Sequence, residues 1–404
     1  MMRALILAGL LLAAAPASHA ADGKWIGAWG ASPVPPMAAA PGVETRRISP
    51  SFVNQTIIQT LRLSAGGQRL RIRFSNEYGA RPLEIGAARV TLLNAEGGVV
   101  PGSERVVTFS GSGAATIPAG APLLSDAVDL KTGSLATVRV ALFVPEETGL
   151  CTCHMTGGDF VQVSPPGDWT QRELPPATGP AQYRAFISGV EVETRSQARV
   201  IVALGDSITD GYLATPGANR RWPDRLAERL TERYPNRANG VVNAGIGGNR
   251  VLSDGLVATM GQSALTRFDR DVLSVPGATH LVILEGVNDL GIRTGRPSAE
   301  GLIHGYRQLI ARAHGNGLKV IGATILPYEG AAYFTPEGEA SRQTINEWIR
   351  KSGAFDAVID LDLAIRDPEK PTRMRAAWHA GDWLHPNDAG YRAIGDAVDL
   401  DLFR

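Results

Sequence analysis

The sequence predicts an α/β domain with a parallel sheet, preceded by an all-β domain. Up to about residue 192, short segments alternate apolar and charged residues, as half-buried strands do. After residue 193, short aliphatic runs alternate with segments of helical spacing, which is typical of a parallel sheet covered by helices on both faces. We place the division between residues 195 and 196, which gives an N-terminal β-domain at 21–195 and an α/β domain at 196–404.

The first twenty residues have the pattern of a secretory signal peptide. Arg3 gives the positive start, residues 4–15 form an apolar run, and Ser18-His19-Ala20 places small residues before a cleavage point. The run is shorter than the about 20 residues that a membrane-spanning helix needs, and no later run approaches that length. We therefore expect an exported protein, periplasmic or extracellular, without a membrane span.

Several short segments are candidate strands of the β-domain. They lie at 61–63, 70–74, 88–93, 106–109, 135–143 and 183–192. Clusters of Gly and Ser at 65–67 and 110–113 separate them, as turn residues do. Because no segment here has a helical stripe, we predict a sandwich of jelly-roll type.

Aliphatic runs and helical segments then alternate through the α/β domain. The aliphatic runs lie at 200–204, 241–242, 280–284, 319–326 and 357–361, and they read as strands buried on both faces. The helical segments lie at 222–234, 302–313, 341–350 and from about 387 onwards. Neither an internal repeat nor a low-complexity linker interrupts this order.

The charge balance and the cysteine count argue against several function classes. Forty basic residues balance forty acidic ones without a basic block, so we expect no nucleic-acid partner bound through its phosphates. The two cysteines, Cys151 and Cys153, are too few for a four-thiolate zinc site, and no His/Asp/Glu cluster has metal-ligand spacing. We expect no cofactor and no metal. A bridge between the two cysteines would close almost no loop, and the sequence leaves both the bridged and the free state open.

Four polar or glycine-rich segments follow the predicted strands or precede the last helix. They are residues 205–208, 243–249, 285–289 and 382–385. In a parallel sheet, ligands bind beyond the carboxyl ends of the strands. We therefore expect these segments to meet at one edge of the sheet and to bring together a Ser, a Gly, an Asn, an Asp and a His.

That set of groups is what acyl transfer needs. The Ser207 hydroxyl becomes a nucleophile when a base such as His385 takes its proton. Asp382, three residues before His385, can hold the other imidazole nitrogen. The backbone N–H groups of Ser207 and Gly248 and the side-chain amide of Asn288 are candidate donors to a developing oxyanion.

Each of these residues also has a purely structural interpretation. Ser207 could cap a helix, Gly248 could serve the backbone alone, and Asn288 could close a turn. We interpret Asp206 and Asp289 as structural hydrogen-bond acceptors. The order of the four segments at successive strand ends is what favours catalysis.

Two groups of residues near these segments are open to a binding role. His379 is predicted to be a polar loop residue, although it could line the site. Trp25, Trp29 and Trp383 could stack on sugars, although buried packing is the preferred interpretation.

The four segments resemble the four consensus blocks of the SGNH (GDSL) hydrolase superfamily. Gly205-Asp206-Ser207-Ile208 matches the nucleophile block, Gly248 the glycine block, Gly286-Val287-Asn288-Asp289 the asparagine block, and Asp382-Trp383-Leu384-His385 the block that bears acid and base. The resemblance implies a three-layer α/β fold and no metal. It also implies a Ser–His–Asp triad and an oxyanion hole at the residues proposed above.

Further segments resemble one secreted branch of that superfamily, which has an N-terminal β-domain and includes esterases associated with xylan breakdown. They are residues 25–33, Arg221-Trp222-Pro223-Asp224 and residues 284–289. This resemblance implies a serine esterase that removes short acyl groups, in particular acetyl, from a carbohydrate. A lipase or arylesterase with a wider acyl pocket and a non-catalytic carbohydrate-binding protein are the alternatives. The glycan, the role of the β-domain and the oligomeric state stay open.

Overall fold

The computed structural model describes residues 23–156, 158–172, 183–291 and 295–404. The predicted signal segment, residues 1–20, lies outside these ranges. Within them, the predicted parallel sheet with its helices is confirmed, and the region before it consists mostly of antiparallel strands. A jelly-roll connectivity for that region stays a prediction. No helix in the described ranges is both long and apolar enough to cross a membrane.

The described part of the N-terminal region contains thirteen strands, most of them antiparallel to their neighbours. They are β1 (Lys24–Gly30), β2 (Gln55–Arg62), β3 (Arg69–Ser75), β4 (Leu83–Ile85), β5 (Ala87–Leu93), β6 (Arg105–Val106), β7 (Ala115–Ile117), β8 (Pro122–Leu124), β9 (Thr137–Val144), β10 (Cys153–His154), β11 (Val161–Val163), β12 (Arg184–Ala185) and β13 (Ile187–Thr194). The two main sheets have the orders β1-β13-β3-β8 and β11-β2-β9-β5-β6. The short strands form the pairs β10-β12 and β4-β7.

Strand β3 shows how the sequence pattern produces a half-buried sheet. Leu70, Ile72 and Phe74 are fully buried, whereas the arginines between them lie on the other face. There Arg69 forms a two-bond ion pair with Glu193 of the neighbouring β13. The buried faces of the two main sheets form a single apolar core.

The C-terminal region alternates strands and helices. Its strands are β14 (Ala198–Gly205), β15 (Ala238–Gly245), β16 (Ala278–Leu284), β17 (Lys319–Ala323) and β18 (Ala357–Ile359). Its α-helices are α1 (Ser207–Asp210), α2 (Trp222–Arg233), α3 (Ala264–Phe268), α4 (Val287–Leu290), α5 (Ala299–Gly315), α6 (Pro336–Lys351), α7 (Leu361–Ile365) and α8 (Asp388–Ala397). All strand pairs of this sheet are parallel.

The strand order of the parallel sheet determines where a site can form. The order is β15-β14-β16-β17-β18. After β14 the chain therefore forms β15 on one side of β14 and then crosses to form β16 on the other side. Because such crossovers are right-handed, α2 lies on one face of the sheet, and α5 and α6 lie on the opposite face. The carboxyl ends of β14, β15 and β16 meet at this change of direction, which is where open α/β sheets bind ligands.

The two regions are joined by a short connection and by direct contacts. Strand β13 ends at Thr194 and β14 begins at Ala198, on either side of the predicted division. Strand β15 is an edge of the parallel sheet, and its Val241 N–H donates to Ser64 Oγ, which in turn donates to the Ala28 carbonyl of β1. The N-terminal region therefore covers part of this outer strand.

Cys151 and Cys153 form a disulfide, with their Cα atoms 5.4 Å apart, and both residues are buried. The bridged state that the sequence left open is therefore the one found. The bridge directly precedes His154, Met155 and Thr156, which contact the C-terminal region as described below.

Candidate active site

Ser207, His385 and Asp382 form a continuous line of hydrogen bonds. Ser207 Oγ lies 2.8 Å from His385 Nε2, and His385 Nδ1 lies 2.6 Å from Asp382 Oδ2. The second carboxylate oxygen, Asp382 Oδ1, accepts the backbone N–H groups of Leu384 at 3.0 Å and His385 at 2.9 Å. The structure thus brings together the predicted nucleophile and base, which are 178 residues apart in the chain.

The charge on Asp382 determines what His385 can do. Burial opposes ionisation of this carboxyl, but hydrogen bonds from the His385 ring and backbone outweigh burial and lower the pKa of Asp382 below its ordinary value. An ionised Asp382 retains the proton on Nδ1 of His385. The Nε2 atom can then accept the proton of the Ser207 hydroxyl.

The turn from β14 into α1 places the serine at the sheet edge. A Cβ at Gly205 would lie 2.4 Å from the Leu284 carbonyl oxygen, so no side chain fits at the end of β14. Asp206 caps α1, because its carboxylate accepts the Ile208 N–H at 2.9 Å. Ser207 is the first residue of the helix and not its cap, which leaves its hydroxyl available to His385.

The three predicted oxyanion donors line one cleft and have unused donor capacity. The Asn288 side chain donates through Nδ2 to the Asn249 carbonyl at 2.9 Å and accepts the Tyr333 hydroxyl at 3.3 Å, which orients the amide. The other Nδ2 hydrogen has no acceptor among the residues that the structure describes. Among the described residues, no protein acceptor takes the backbone N–H of Ser207 or of Gly248. Gly248 adopts φ +81°, a conformation that favours glycine.

Asp289 connects two of the four segments. Its carboxylate accepts the backbone N–H groups of Val251 at 2.9 Å and Leu252 at 3.2 Å, which follow Gly248 in the chain. Burial raises the pKa of Asp289 to about 6. The side chain therefore orders the glycine loop next to Asn288, as expected of a structural acceptor.

Arg267 lies under the site and has no counterpart in the sequence prediction. Its side chain is fully buried and donates to the Gly205 carbonyl at 3.0 Å, to the Ala244 carbonyl at 2.7 Å and to Asn249 Oδ1 at 2.9 Å. It also pairs with Asp271 at 3.0 Å. One guanidinium thus holds the carboxyl ends of β14 and β15 and the glycine loop in register. The only sequence signal is the i,i+4 spacing of Arg267 and Asp271, which many surface helices share.

Two further buried carboxyls accompany this arginine. Burial, reinforced by the charge of Asp289, raises the pKa of Asp206 to about 7. Burial and the charge of Asp206 raise the pKa of Glu285 well above its ordinary value. Glu285 Oε2 lies 3.7 Å from Arg267, and neither carboxyl oxygen of Glu285 has a hydrogen-bond partner among the described residues. The two carboxyls at the base of the site therefore retain their protons to a higher pH than exposed carboxyls do.

The N-terminal region forms one wall of the cleft. The cleft has a volume of about 320 Å³. The residues that this region contributes to its lining are Arg46, Arg47, Met155 and Thr156. A site built from both regions was not predicted, because no local pattern marks these four residues.

His154 and Thr156 attach that wall to the helix that carries the nucleophile. His154 Nε2 lies 2.9 Å from Asp210 Oδ1 in α1, and its Nδ1 lies 2.9 Å from the Ser32 carbonyl. The Thr156 hydroxyl donates to the other Asp210 oxygen. Burial opposes protonation of His154, but the charge and hydrogen bond of Asp210 outweigh burial and raise the pKa of the imidazole.

His379 lies in the loop that carries Asp382 and shapes that loop. Its Nδ1 accepts the backbone N–H groups of Gly381 at 2.9 Å and Trp383 at 3.4 Å, and its ring stacks on the Trp383 ring with centroids 3.9 Å apart. Neither side chain is among those that line the cleft, and Trp25 and Trp29 are not among them either. His379 is the polar loop residue that the sequence predicts.

Comparison with known proteins identifies the C-terminal region. Residues 203–393 match the model of the GDSL-like lipase/acylhydrolase family. No curated protein compared with the chain matches it. An acetylxylan esterase from Geobacillus stearothermophilus is 22% identical, with 50% of this chain and 91% of that chain covered and a TM-score of 0.38. A GDSL-like lipase from Bacteroides thetaiotaomicron is 20% identical, with 49% and 84% covered and a TM-score of 0.35. Similarity at this level assigns no substrate.

Proposed function

We propose that the protein is an exported serine esterase that removes short acyl groups, in particular acetyl, from a carbohydrate. The premise is that its C-terminal region belongs to the GDSL-like lipase/acylhydrolase family of SGNH hydrolases, which makes the protein a carboxylic ester hydrolase. The observation that carries the mechanism is the line of hydrogen bonds from Ser207 Oγ through His385 to Asp382. Beside it lie two backbone N–H groups that no acceptor in the described part of the chain occupies. The proposal concerns the acyl group, the alcohol, the site residues and the location.

In the first half-reaction, Ser207 becomes acylated. His385 Nε2 takes the proton from Ser207 Oγ while Oγ attacks the ester carbonyl carbon, and the carbonyl oxygen becomes an oxyanion. The ionised Asp382 stabilises the imidazolium that forms. His385 then gives the proton to the departing alcohol, which leaves the acyl group on Ser207.

In the second half-reaction, water takes the place of the alcohol. His385 removes a proton from the water, the hydroxide attacks the acyl carbon, and Ser207 recovers its proton when the acid departs. In both steps the oxyanion accepts hydrogen bonds from the N–H groups of Ser207 and Gly248 and from the Asn288 amide. A donor of this kind typically contributes about 2.7–4 kcal/mol to transition-state stabilisation.

Crowding at the glycine loop supports a short acyl group. A Cβ at Gly248 would lie 2.7 Å from Met260 Cγ, and a Cβ at Gly247 would lie 3.0 Å from Thr156 Cγ2. The cleft volume of about 320 Å³ is at the lower end of the range for ligand pockets, about 300–1,000 Å³. A two-carbon acyl group fits beside these side chains more readily than a long chain does.

Export is supported by the sequence of residues 1–20 and by the disulfide, because disulfides persist in oxidising compartments. Expression of the full chain with its own leader, followed by cell fractionation and mass spectrometry of the N-terminus, tests this part. We expect an N-terminus at Ala21 in the periplasm or medium. Full-length protein confined to the cytoplasm would contradict export.

Initial hydrolysis rates on p-nitrophenyl esters of two, four, eight and twelve carbons test the acyl group. We expect the highest rate on the acetyl ester, a steep fall with chain length, and loss of all rates in Ser207→Ala. Ser196→Ala, an exposed serine outside the site, is the matched control. A maximum at eight or more carbons would replace this proposal with a lipase-like one. A Ser207-independent rate would contradict the assigned nucleophile.

Met260→Ala sharpens the same measurement. If Met260 limits the acyl pocket, the ratio of butyryl to acetyl activity should rise by about tenfold, the effect of one or two methylenes in an apolar pocket. An unchanged ratio would show that another part of the cleft limits chain length.

A further inference from the structure

Two arginines of the N-terminal region stand at the active-site cleft. A 3₁₀ turn at Thr45–Arg47 carries them, and both Arg46 and Arg47 line the cleft that contains Ser207. Their Nε atoms converge on one carboxylate oxygen, Glu44 Oε2, at 2.8 Å and 3.3 Å. Two guanidinium groups therefore share one carboxylate, which leaves one positive charge in excess.

The pair also has unused hydrogen-bond donors. Each guanidinium has five N–H groups, and Glu44 occupies the Nε–H of each. Arg46 donates one more hydrogen bond, from Nη1 to the Tyr212 hydroxyl. Within the described part of the chain, Arg47 makes no hydrogen bond through either Nη atom. The remaining Nη–H groups of both guanidinium groups are therefore available to a ligand.

Other charges along the cleft are already committed. Of the remaining residues that line it, Asp382 is hydrogen-bonded to His385, and His385 is also hydrogen-bonded to Ser207. The arginine pair is thus the charge at the cleft that the proposed ester hydrolysis does not use. A negatively charged ligand is its complement.

Arg46 and Arg47 lie on the side of the site where the alcohol part of an ester would bind. His385 delivers a proton to the departing alcohol, so the alcohol must lie on the His385 side of Ser207. The Tyr212 ring packs edge-on against the His385 ring, with centroids 4.8 Å apart, and Arg46 lies over the Tyr212 ring at 5.9 Å. Met260 and Thr156 line the same cleft beside Gly248 and Gly247, where the proposed function places the acyl group.

We propose that Arg46 and Arg47 bind a carboxylate on the alcohol part of the substrate, so that the enzyme prefers acylated sugars that carry a uronic acid carboxylate over neutral acylated sugars. Planar guanidinium groups bind carboxylates through paired hydrogen bonds, and a carboxylate, that of Glu44, already lies between these two. The proposal rests on the proposed esterase function and names the substrate class of that same site.

A pair of substrates that match in shape and differ in charge tests the proposal. One is a mono-O-acetylated methyl glucuronide, and the other is the corresponding acetylated glucuronamide, which has the same shape without the charge. Acetate release gives kcat/KM for each, and the ratio of charged to neutral substrate is the readout. We expect the parent enzyme to prefer the glucuronide about tenfold, and Arg46→Gln and Arg47→Gln each to reduce the ratio about fivefold.

Lys351→Gln is the matched control, since it also removes one positive charge. Lys351 is exposed at the carboxyl end of α6, just before β18 begins, and so at the opposite edge of the sheet from the cleft. We expect it to leave the ratio unchanged. The parent's preference for the charged substrate should also be smaller in about 1 M NaCl than in about 0.1 M NaCl, because the distance over which salt screens charges shortens from about 10 Å to about 3 Å.

The outcomes separate this proposal from the esterase function. If Arg46→Gln and Arg47→Gln lower kcat/KM equally on both substrates, the arginines support the shape of the cleft without recognising the substrate carboxylate, and the charge-recognition proposal is wrong. A parent enzyme that favours the amide, or has no preference, overturns it as well. If the parent hydrolyses neither sugar nor p-nitrophenyl acetate, the esterase function itself fails.

Discussion

The C-terminal region carries all the groups proposed to react, whereas the N-terminal region carries only groups that surround them. Ser207, Asn288 and His385 follow strands of one parallel sheet or precede its last helix, where short sequence segments place them. Arg47 and Thr156 reach the same cleft from separate parts of the β-region. In the proposed mechanism the reacting groups therefore come from one fold, and in the proposed charge recognition selectivity depends on how the two folds pack together.

The largest effect should come from Asp382→Asn, which tests whether the C-terminal region alone sets the chemistry. An amide cannot fix the His385 tautomer as an ionised carboxylate does, so kcat should fall by about 10⁴-fold with little change in KM. Rates on p-nitrophenyl acetate and a thermal unfolding curve provide the measurement. Asp367→Asn, in the loop after α7, is the control. A fall of less than tenfold would mean that another group orients the imidazole.

Asn288→Ala should have the next largest effect, because it removes one of three oxyanion donors. We expect kcat to fall by about 10²–10³-fold, with the acyl-chain preference unchanged. The same chain-length series measures both quantities. If instead KM rises by this factor and kcat is unchanged, Asn288 acts in substrate binding rather than in the oxyanion hole.

His154→Gln tests the other side of the comparison, since His154 belongs to the N-terminal region and contacts Asp210 next to the nucleophile. Loss of a buried, charge-assisted hydrogen bond should lower the free energy of unfolding by about 1.5–3 kcal/mol. Urea unfolding of the parent and the variant measures this change in the free energy of unfolding. The control is His304→Gln in α5, for which we expect no change in stability.

The same variant separates the contributions of the two regions to catalysis. If the N-terminal region only shapes the cleft, His154→Gln should change kcat/KM on p-nitrophenyl acetate by less than about tenfold, far below the effect of Asp382→Asn. A loss comparable to that of Asp382→Asn would break the division of roles between the two regions.

How well each feature could be predicted from the sequence depends on how far apart in the chain the residues that form it are. The aliphatic run at 200–204 predicts β14, and Gly-Asp-Ser directly after it predicts the turn that positions Ser207. Strands of two or three residues, such as β10 and β12, are too short to show a periodic pattern. Arg267 and Arg46 could not be predicted, because their partners Gly205 and Tyr212 are 62 and 166 residues away in the chain. Residue types near a strand end thus predict chemistry, whereas contacts across the fold require the fold.

The smallest expected effect concerns Glu285, in the buried acid group beneath the nucleophile. Burial and Asp206 raise the pKa of Glu285 in the folded protein well above its ordinary value of 4.5, to which it returns on unfolding. From pH 4.5 up to that raised pKa, the folded state therefore binds more protons than the unfolded state. The contribution of Glu285 to stability must accordingly fall as the pH rises through this window. Ionisation would leave a buried carboxylate whose nearest cation, Arg267, already pairs with Asp271.

Glu285→Gln replaces the protonated acid by a neutral group of the same shape and should therefore flatten this pH dependence. Between about pH 5 and about pH 8, the variant should lose on the order of 1 kcal/mol less unfolding free energy than the parent, because one pKa unit corresponds to about 1.4 kcal/mol. Urea unfolding at the two pH values measures the difference, with Glu300→Gln, an exposed residue of α5, as the control. If the free energy of unfolding falls equally with pH in the parent and the variant, Glu285 ionises alike in the folded and unfolded states. Arg267 would then neutralise Glu285 as well as Asp271, and the base of the site would carry its full negative charge at neutral pH.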